Sequence, residues 1–130
     1  MPSEKESGAL RDMLRHIDLA EQFAQDQSYE SLRDDLQALY AVIRSLEIIS
    51  EASRRLSDEL KARHAGIPWR EMAAAGNFYR HNYEDVTPSR VWKTLREELP
   101  PLRAAIDQEL KRGGGYRRRA ARCAADGKPV

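Results

Sequence analysis

The sequence predicts an all-α fold, on three observations. Apolar residues recur at steps of three and four along most of the chain, and no run of Val, Ile or aromatic residues alternates with the period of two that marks a strand. Proline, glycine and small polar residues fall where the helical pattern stops. Short connections make successive helices antiparallel neighbours. The expected architecture is an up-and-down antiparallel bundle of about five helices over residues 8–112, followed by a disordered tail over 113–130.

The first helix is predicted over Ala9–Gln25, where Leu10, Met13, Leu14, Ile17, Ala20 and Ala24 line one face. The segment "DQSYESLRDDLQ" breaks that pattern, and Ser31 with Asp34 three residues later resembles a capping box. From Leu36 to Leu60 the apolar stripe is too broad for a helix with one buried side. It predicts one long helix, with one side on the core and the other against a partner subunit. In "HAGIPW", Gly66 can supply a left-handed residue and Pro68 suits the first turn of the next helix.

A third helix is expected from Pro68 to Asn82, with Trp69, Met72, Ala73 and Phe78 as its buried positions. A fourth begins at "VTPSRVW", with Thr87 as N-cap and Pro88 at the first helical position. Pro100 and Pro101 in "LPPL" are expected to interrupt it, because proline lacks the backbone donor and clashes with the preceding turn. A last helix covers Pro101–Arg112. The remainder, "GGGYRRRAARCAADGKPV", reads as a glycine-hinged basic tail.

The net charge of +1 hides an uneven distribution: residues 1–110 carry 15 Lys/Arg against 20 Asp/Glu, and residues 111–130 carry 7 against one. An acidic body thus bears a basic tail, in which Arg117, Arg118 and Arg119 are candidate RNA-phosphate ligands and Tyr116 a candidate base-stacking partner. The plain alternative is a solvated tail. No apolar run approaches the roughly 18 residues of a membrane span, and "MPSEKESGAL" lacks the basic start and apolar stretch of a signal peptide, so a cytoplasmic protein is expected. Cys123 is the single cysteine, so neither an internal disulfide nor a multi-cysteine metal site is possible.

Several chemistries find no support. The residues three before His16, His64 and His81 are Met13, Lys61 and Phe78, so the Glu-x-x-His pairs of di-metal bundles are absent, and no metal or cofactor is expected. There is no Gly-x-Ser-x-Gly elbow and no phosphate-cradling glycine loop. His16 and His64 read as surface or capping imidazoles. His81 differs, because "GNFYRHNYEDV", Gly76 to Val86, surrounds it with functional residue types. Asn77 lies one turn before it, Arg80 adjoins it and Tyr83 follows. An imidazole moves protons near neutral pH, and a guanidinium grips a phosphate bidentately. Phosphodiester chemistry and a polar helix end with stacked aromatics both fit this composition.

"LRDMLRHIDLAEQF", "YAVIRSLEIISEASRRLSDEL", "IPWREMAAAGN" and "RHNYEDVTPSRVW" together resemble the HepT-like family of HEPN-fold proteins over about residues 8–110. The central segment is similar to the family's "IGEA" helix, with Ser50 in place of glycine. The resemblance implies a helical bundle that forms a homodimer with two sites in one cleft. It also implies a metal-independent endoribonuclease toxin of a type VII-like toxin–antitoxin pair, neutralised by a minimal nucleotidyltransferase that adds AMP to a tyrosine. The family motif is Arg-Asn, three variable residues, then His-x-Tyr. Asn77, His81 and Tyr83 match it: His81 for proton transfer, Tyr83 as AMP acceptor.

The motif's arginine position is Gly76, so one charge-assisted phosphate contact is missing there. Glycine inside a helix is about 1 kcal/mol worse than alanine. Either Gly76 lets another backbone or a ligand approach, or Arg80, one turn later on the same face, leans back to supply the guanidinium. The alternative to a ribonuclease is a catalytically inactive interaction subunit that binds a nucleotidyltransferase or nucleic acid without cleaving it.

Overall fold

The computed structural model describes residues 3–81 and 87–113, with the backbone alone at Arg80, His81 and Gly113. Its elements are α1 (Glu4–Phe23), α2 (Tyr29–Asp34), α3 (Leu36–Ser53), α4 (Asp58–Arg63), α5 (Trp69–His81), α6 (Thr87–Lys93), a π-helical turn (Thr94–Glu98) and α7 (Leu99–Gly113). Among the described residues there is no strand. With Thr87–Gly113 counted as one continuous rod, six helices form the predicted all-α bundle. No helix among the described residues is long and apolar enough to cross a membrane.

α3 is the central helix. One side packs on α1 and the other on α5, so the broad apolar stripe is consumed largely within the chain. Leu39, Val42, Ile43, Leu46, Ile49 and Ala52 are all buried, while Leu36 and Tyr40 remain exposed. α1 runs antiparallel to α3. Asp12 meets Arg55, and the Glu6 carboxylate accepts from the Ser57 backbone N–H at 2.6 Å. That contact, with those from Ser3, holds the Glu6 carboxyl below its ordinary range.

The helix ends explain most departures from expectation. α1 starts at Glu4, five residues early, because Ser3 and Glu6 form a reciprocal capping box outside the apolar pattern. The box expected at Ser31 is instead Ser28 with Ser31 at its third helical position, and Asp35 caps α3 by accepting from the Ala38 N–H. The long helix expected over Leu36–Leu60 is broken after Ser53. Ser57 caps a separate short helix, α4, through the Leu60 N–H. Ala52 before this break, Leu56 within it and Leu60 after it are all buried, so the apolar pattern runs through it unchanged.

The left-handed residue is Asp26, at φ 65°, rather than Gly66. α6 begins at Thr87, so any N-cap before it lies outside the described residues. Pro100 and Pro101 do not interrupt the last rod. They sit just inside α7, and the turn before them widens so that the Leu99 N–H reaches back five residues to the Thr94 carbonyl. The widened turn lets helical direction continue up to residues that cannot donate.

A polar cluster closes the end of the bundle where α4 meets α7. Glu109 is 1% exposed, yet its carboxylate accepts from Arg63 Nε and Nη2 at 3.1 and 2.8 Å and pairs with His64 Nε2 at 2.7 Å. His64 is the C-cap residue of α4, and its ring is the partner of a buried carboxylate rather than a surface imidazole. A separation of 45 residues hid that partner from the sequence. The Arg63 hydrogen bonds, followed by that from His64, hold the Glu109 carboxyl below its ordinary 4.5. A carboxyl depressed in the folded state contributes stability that is complete above its unfolded value and is lost as pH falls through the folded one. Glu109→Gln is therefore expected to cost roughly 1–3 kcal/mol at pH 7. Thermal melts of the variant should also fall less steeply below pH 4.5 than those of the wild type; parallel curves would count against this cluster.

Candidate functional site

α5 carries the candidate residues and is held at three levels. At its start, Trp69 Nε1 donates to the carbonyls of Lys61 and His64, at 3.1 and 3.0 Å. Near its end Tyr79, 2% exposed, is within 3.3 Å of the Thr94 hydroxyl in the widened turn, and burial pushes its phenol above the ordinary 10.0. Tyr79 is thus the fully buried side chain of this helix. The expected Trp69, Met72, Ala73 and Phe78 are only half-buried. Phe78 lies under the Arg90 guanidinium at 5.2 Å.

The middle contact is the closest. Gly76 is buried against α3, and a Cβ there would stand 3.2 Å from Ser50 Oγ and 3.4 Å from Ser50 Cβ. The Ser50 hydroxyl donates to the Ala73 carbonyl at 3.0 Å and accepts from the Gly76 N–H at 3.2 Å. Arg54, one turn further along α3, donates Nε and Nη2 to the same carbonyl at 3.2 and 2.8 Å. The glycine therefore serves close approach of another helix, one of the two roles its place in the sequence allowed. Beside it a groove of about 270 Å³ runs between α3 and α5, lined by Arg44, Glu47, Ser50, Glu51, Arg54 and Gly76 among others.

Asn77 is exposed, next to Gly76. α5 stays helical through Arg80 and His81, so His81 stands one turn beyond Asn77 and Arg80 one turn beyond Gly76. The side chains of Arg80 and His81 are outside the described residues, as are Tyr83 and the tail arginines Arg117, Arg118 and Arg119. Trp92 has Tyr29 against its ring and Arg96 over its face at 4.4 Å. Among the described residues no three His, Cys, Asp or Glu side chains are grouped to hold a metal.

A family model described as "Ribonuclease HepT-like" matches residues 13–109. The chain belongs to the HepT-like ribonuclease family. A Thermococcus cleftensis protein named "Probable ribonuclease HepT" is 37% identical over 102 residues, which is 78% of this chain and 93% of that protein. A Methanocaldococcus jannaschii protein named "Putative RNase MJ1380" is 31% identical over 98 residues, 75% of this chain and 90% of that protein. No solved structure gives a significant match. The family match spans all the helices that hold α5 in place.

Ser50 and Arg54 were not singled out in the sequence as parts of a site. The signal was Ser50 itself, which follows Ile48 and Ile49 on a helix otherwise reading as core and stands where the family's "IGEA" helix has glycine. Because Ser50 and Gly76 share one close contact, their substitutions should not be additive. In a double-mutant cycle, Ser50→Ala with Gly76→Ala is expected to be more stable than the sum of the single changes by at least about 0.5 kcal/mol. Chemical denaturation measures it, and strict additivity would mean that the contact carries no energy.

Proposed function

We propose that this HepT-like protein is a metal-independent endoribonuclease and the toxin of a type VII-like toxin–antitoxin pair, acting in the cytoplasm. The observation that carries the reading is the family match, together with an α5 that remains helical through Asn77, Arg80 and His81. In this reading His81 takes the proton of a ribose 2′-hydroxyl as its oxygen attacks the adjacent phosphorus. The bond to the 5′-oxygen breaks, and a proton returned to that oxygen completes the step, leaving a cyclic phosphate and a 5′-hydroxyl. Arg80 holds the scissile phosphate and Asn77 orients it. The tail arginines Arg117, Arg118 and Arg119 add non-specific phosphate contacts.

The neutralising partner in this reading is a minimal nucleotidyltransferase that adds AMP to Tyr83. A nucleotidyl group there places a phosphate and a base beside His81, blocking the RNA strand by charge and bulk. A second reading, favoured by Gly76 in place of the motif's arginine, is an interaction subunit that binds such a partner or nucleic acid without cleavage.

Induced expression separates the two readings. The wild type is expected to arrest growth and to cut RNA in the presence of EDTA, His81→Ala to lose both activities, and Arg80→Ala to lose at least about tenfold in rate. Co-expression with the nucleotidyltransferase should abolish toxicity and add AMP masses to the intact protein, but not to Tyr83→Phe. Cleavage undiminished in His81→Ala would remove the proton-transfer role.

The proposal includes a homodimer. Leu36 and Tyr40, one turn apart on α3, are 59% and 54% exposed, an apolar pair suited to a second copy of the same face. Tyr40→Asp is expected to convert a sedimenting dimer to monomer without lowering helical content; a dimer that survives it would place the interface elsewhere.

A further inference from the structure

The groove between α3 and α5 contains a guanidinium that the reaction above does not use. Arg54 donates two of its five N–H groups to the Ala73 carbonyl, a grip that fixes the plane of the group and leaves three donors. A carbonyl is neutral, so the charge is not cancelled. Among the described residues no carboxylate lies within ion-pair distance of Arg54, whereas Arg44 pairs with Glu47 and Arg55 with Asp12. Arg54 is therefore the oriented, uncompensated cation of the groove.

Gly76 forms part of the opposite wall. A Cβ there would stand 3.2 Å from Ser50 Oγ, so the wall is bare backbone at this point. The groove holds about 270 Å³, the volume of several waters, beside three free donors. Ala73 and Gly76 are three residues apart, so the carbonyl that Arg54 grips and the glycine that borders the groove lie on one face of α5. The shape, the charge and the fixed fork suit one chemical group, a phosphodiester.

We infer that Arg54 binds a phosphate of the RNA strand in the groove that Gly76 borders, so that the C-terminal end of α3 supplies a cation that residue 76 does not. The inference rests on the ribonuclease reading for the identity of the strand. Arg54 contacts a phosphate beside the reacting one, so its loss raises KM and leaves kcat nearly unchanged. Glu51, exposed on the same groove, opposes the bound anion.

The test uses the full chain and a single-stranded oligonucleotide made uncleavable by 2′-deoxy sugars, followed by fluorescence anisotropy over a salt series. Arg54→Gln is expected to weaken binding about tenfold and to reduce the slope of log affinity against log salt by about 0.7, the share of one single-strand phosphate. Glu51→Gln should tighten binding. With cleavable RNA, Arg54→Gln should raise KM with kcat within about twofold, a split that general loss of structure would not give.

Unchanged affinity and salt slope in a folded Arg54→Gln protein would overturn the inference, as would a wild type that does not bind the oligonucleotide at low salt. Should Arg54→Gln fail to fold, Glu51→Gln decides, since a phosphate beside Arg54 must feel a carboxylate in the same groove. Failure of the ribonuclease reading shows separately. A wild type that binds through Arg54 but cuts nothing retains the groove and loses the reaction.

Discussion

The middle of α5 is placed by one contact, the approach of Gly76 to Ser50. A glycine in a helix costs about 1 kcal/mol in backbone entropy, and here the cost is offset by what a missing Cβ permits. The two helices come close enough for one hydroxyl to join the Ala73 carbonyl to the Gly76 N–H. Arg54 then reaches the same carbonyl from the next turn of α3. A side chain at residue 76 would displace this arrangement before it affected any reacting group.

The contact acts within a wider scaffold. His64 takes part twice: its ring pairs with the buried Glu109 of α7, and its carbonyl accepts from Trp69 at the start of α5. Tyr79 ties the other end of α5 to Thr94 in the widened turn. That turn exists because Pro100 and Pro101 cannot donate to the turn before them. Helices distant in sequence thus fix α5 at its start, middle and end. A helix held at three levels presents Asn77 from a fixed backbone.

Membership of the HepT-like family brings these features to one question of charge. Glycine at residue 76 places no guanidinium there, and Arg54 borders the adjacent groove from the end of α3. Close packing is what this position serves, since a Cβ would already stand 3.2 Å from Ser50 Oγ.

The all-α class and most helices were legible in the residues, because helical periodicity and the strand period are local properties that six to ten positions suffice to distinguish. Asn77, His81 and Tyr83 were picked out by a family resemblance that lies within a few residues, and of the three only Asn77 has a described side chain. The break after Ser53 was not legible, since Ala52 before it, Leu56 within it and Leu60 after it are all buried and periodicity records burial rather than hydrogen bonding. Nor were the Glu109 cluster and the groove, which join residues 19 to 46 positions apart. By itself the sequence determined which surfaces are apolar and which residue types stand together on α5. Only the tertiary structure decided what Gly76 is for and where Arg54 lies, because both depend on the distance between two helices, a quantity that no local pattern carries.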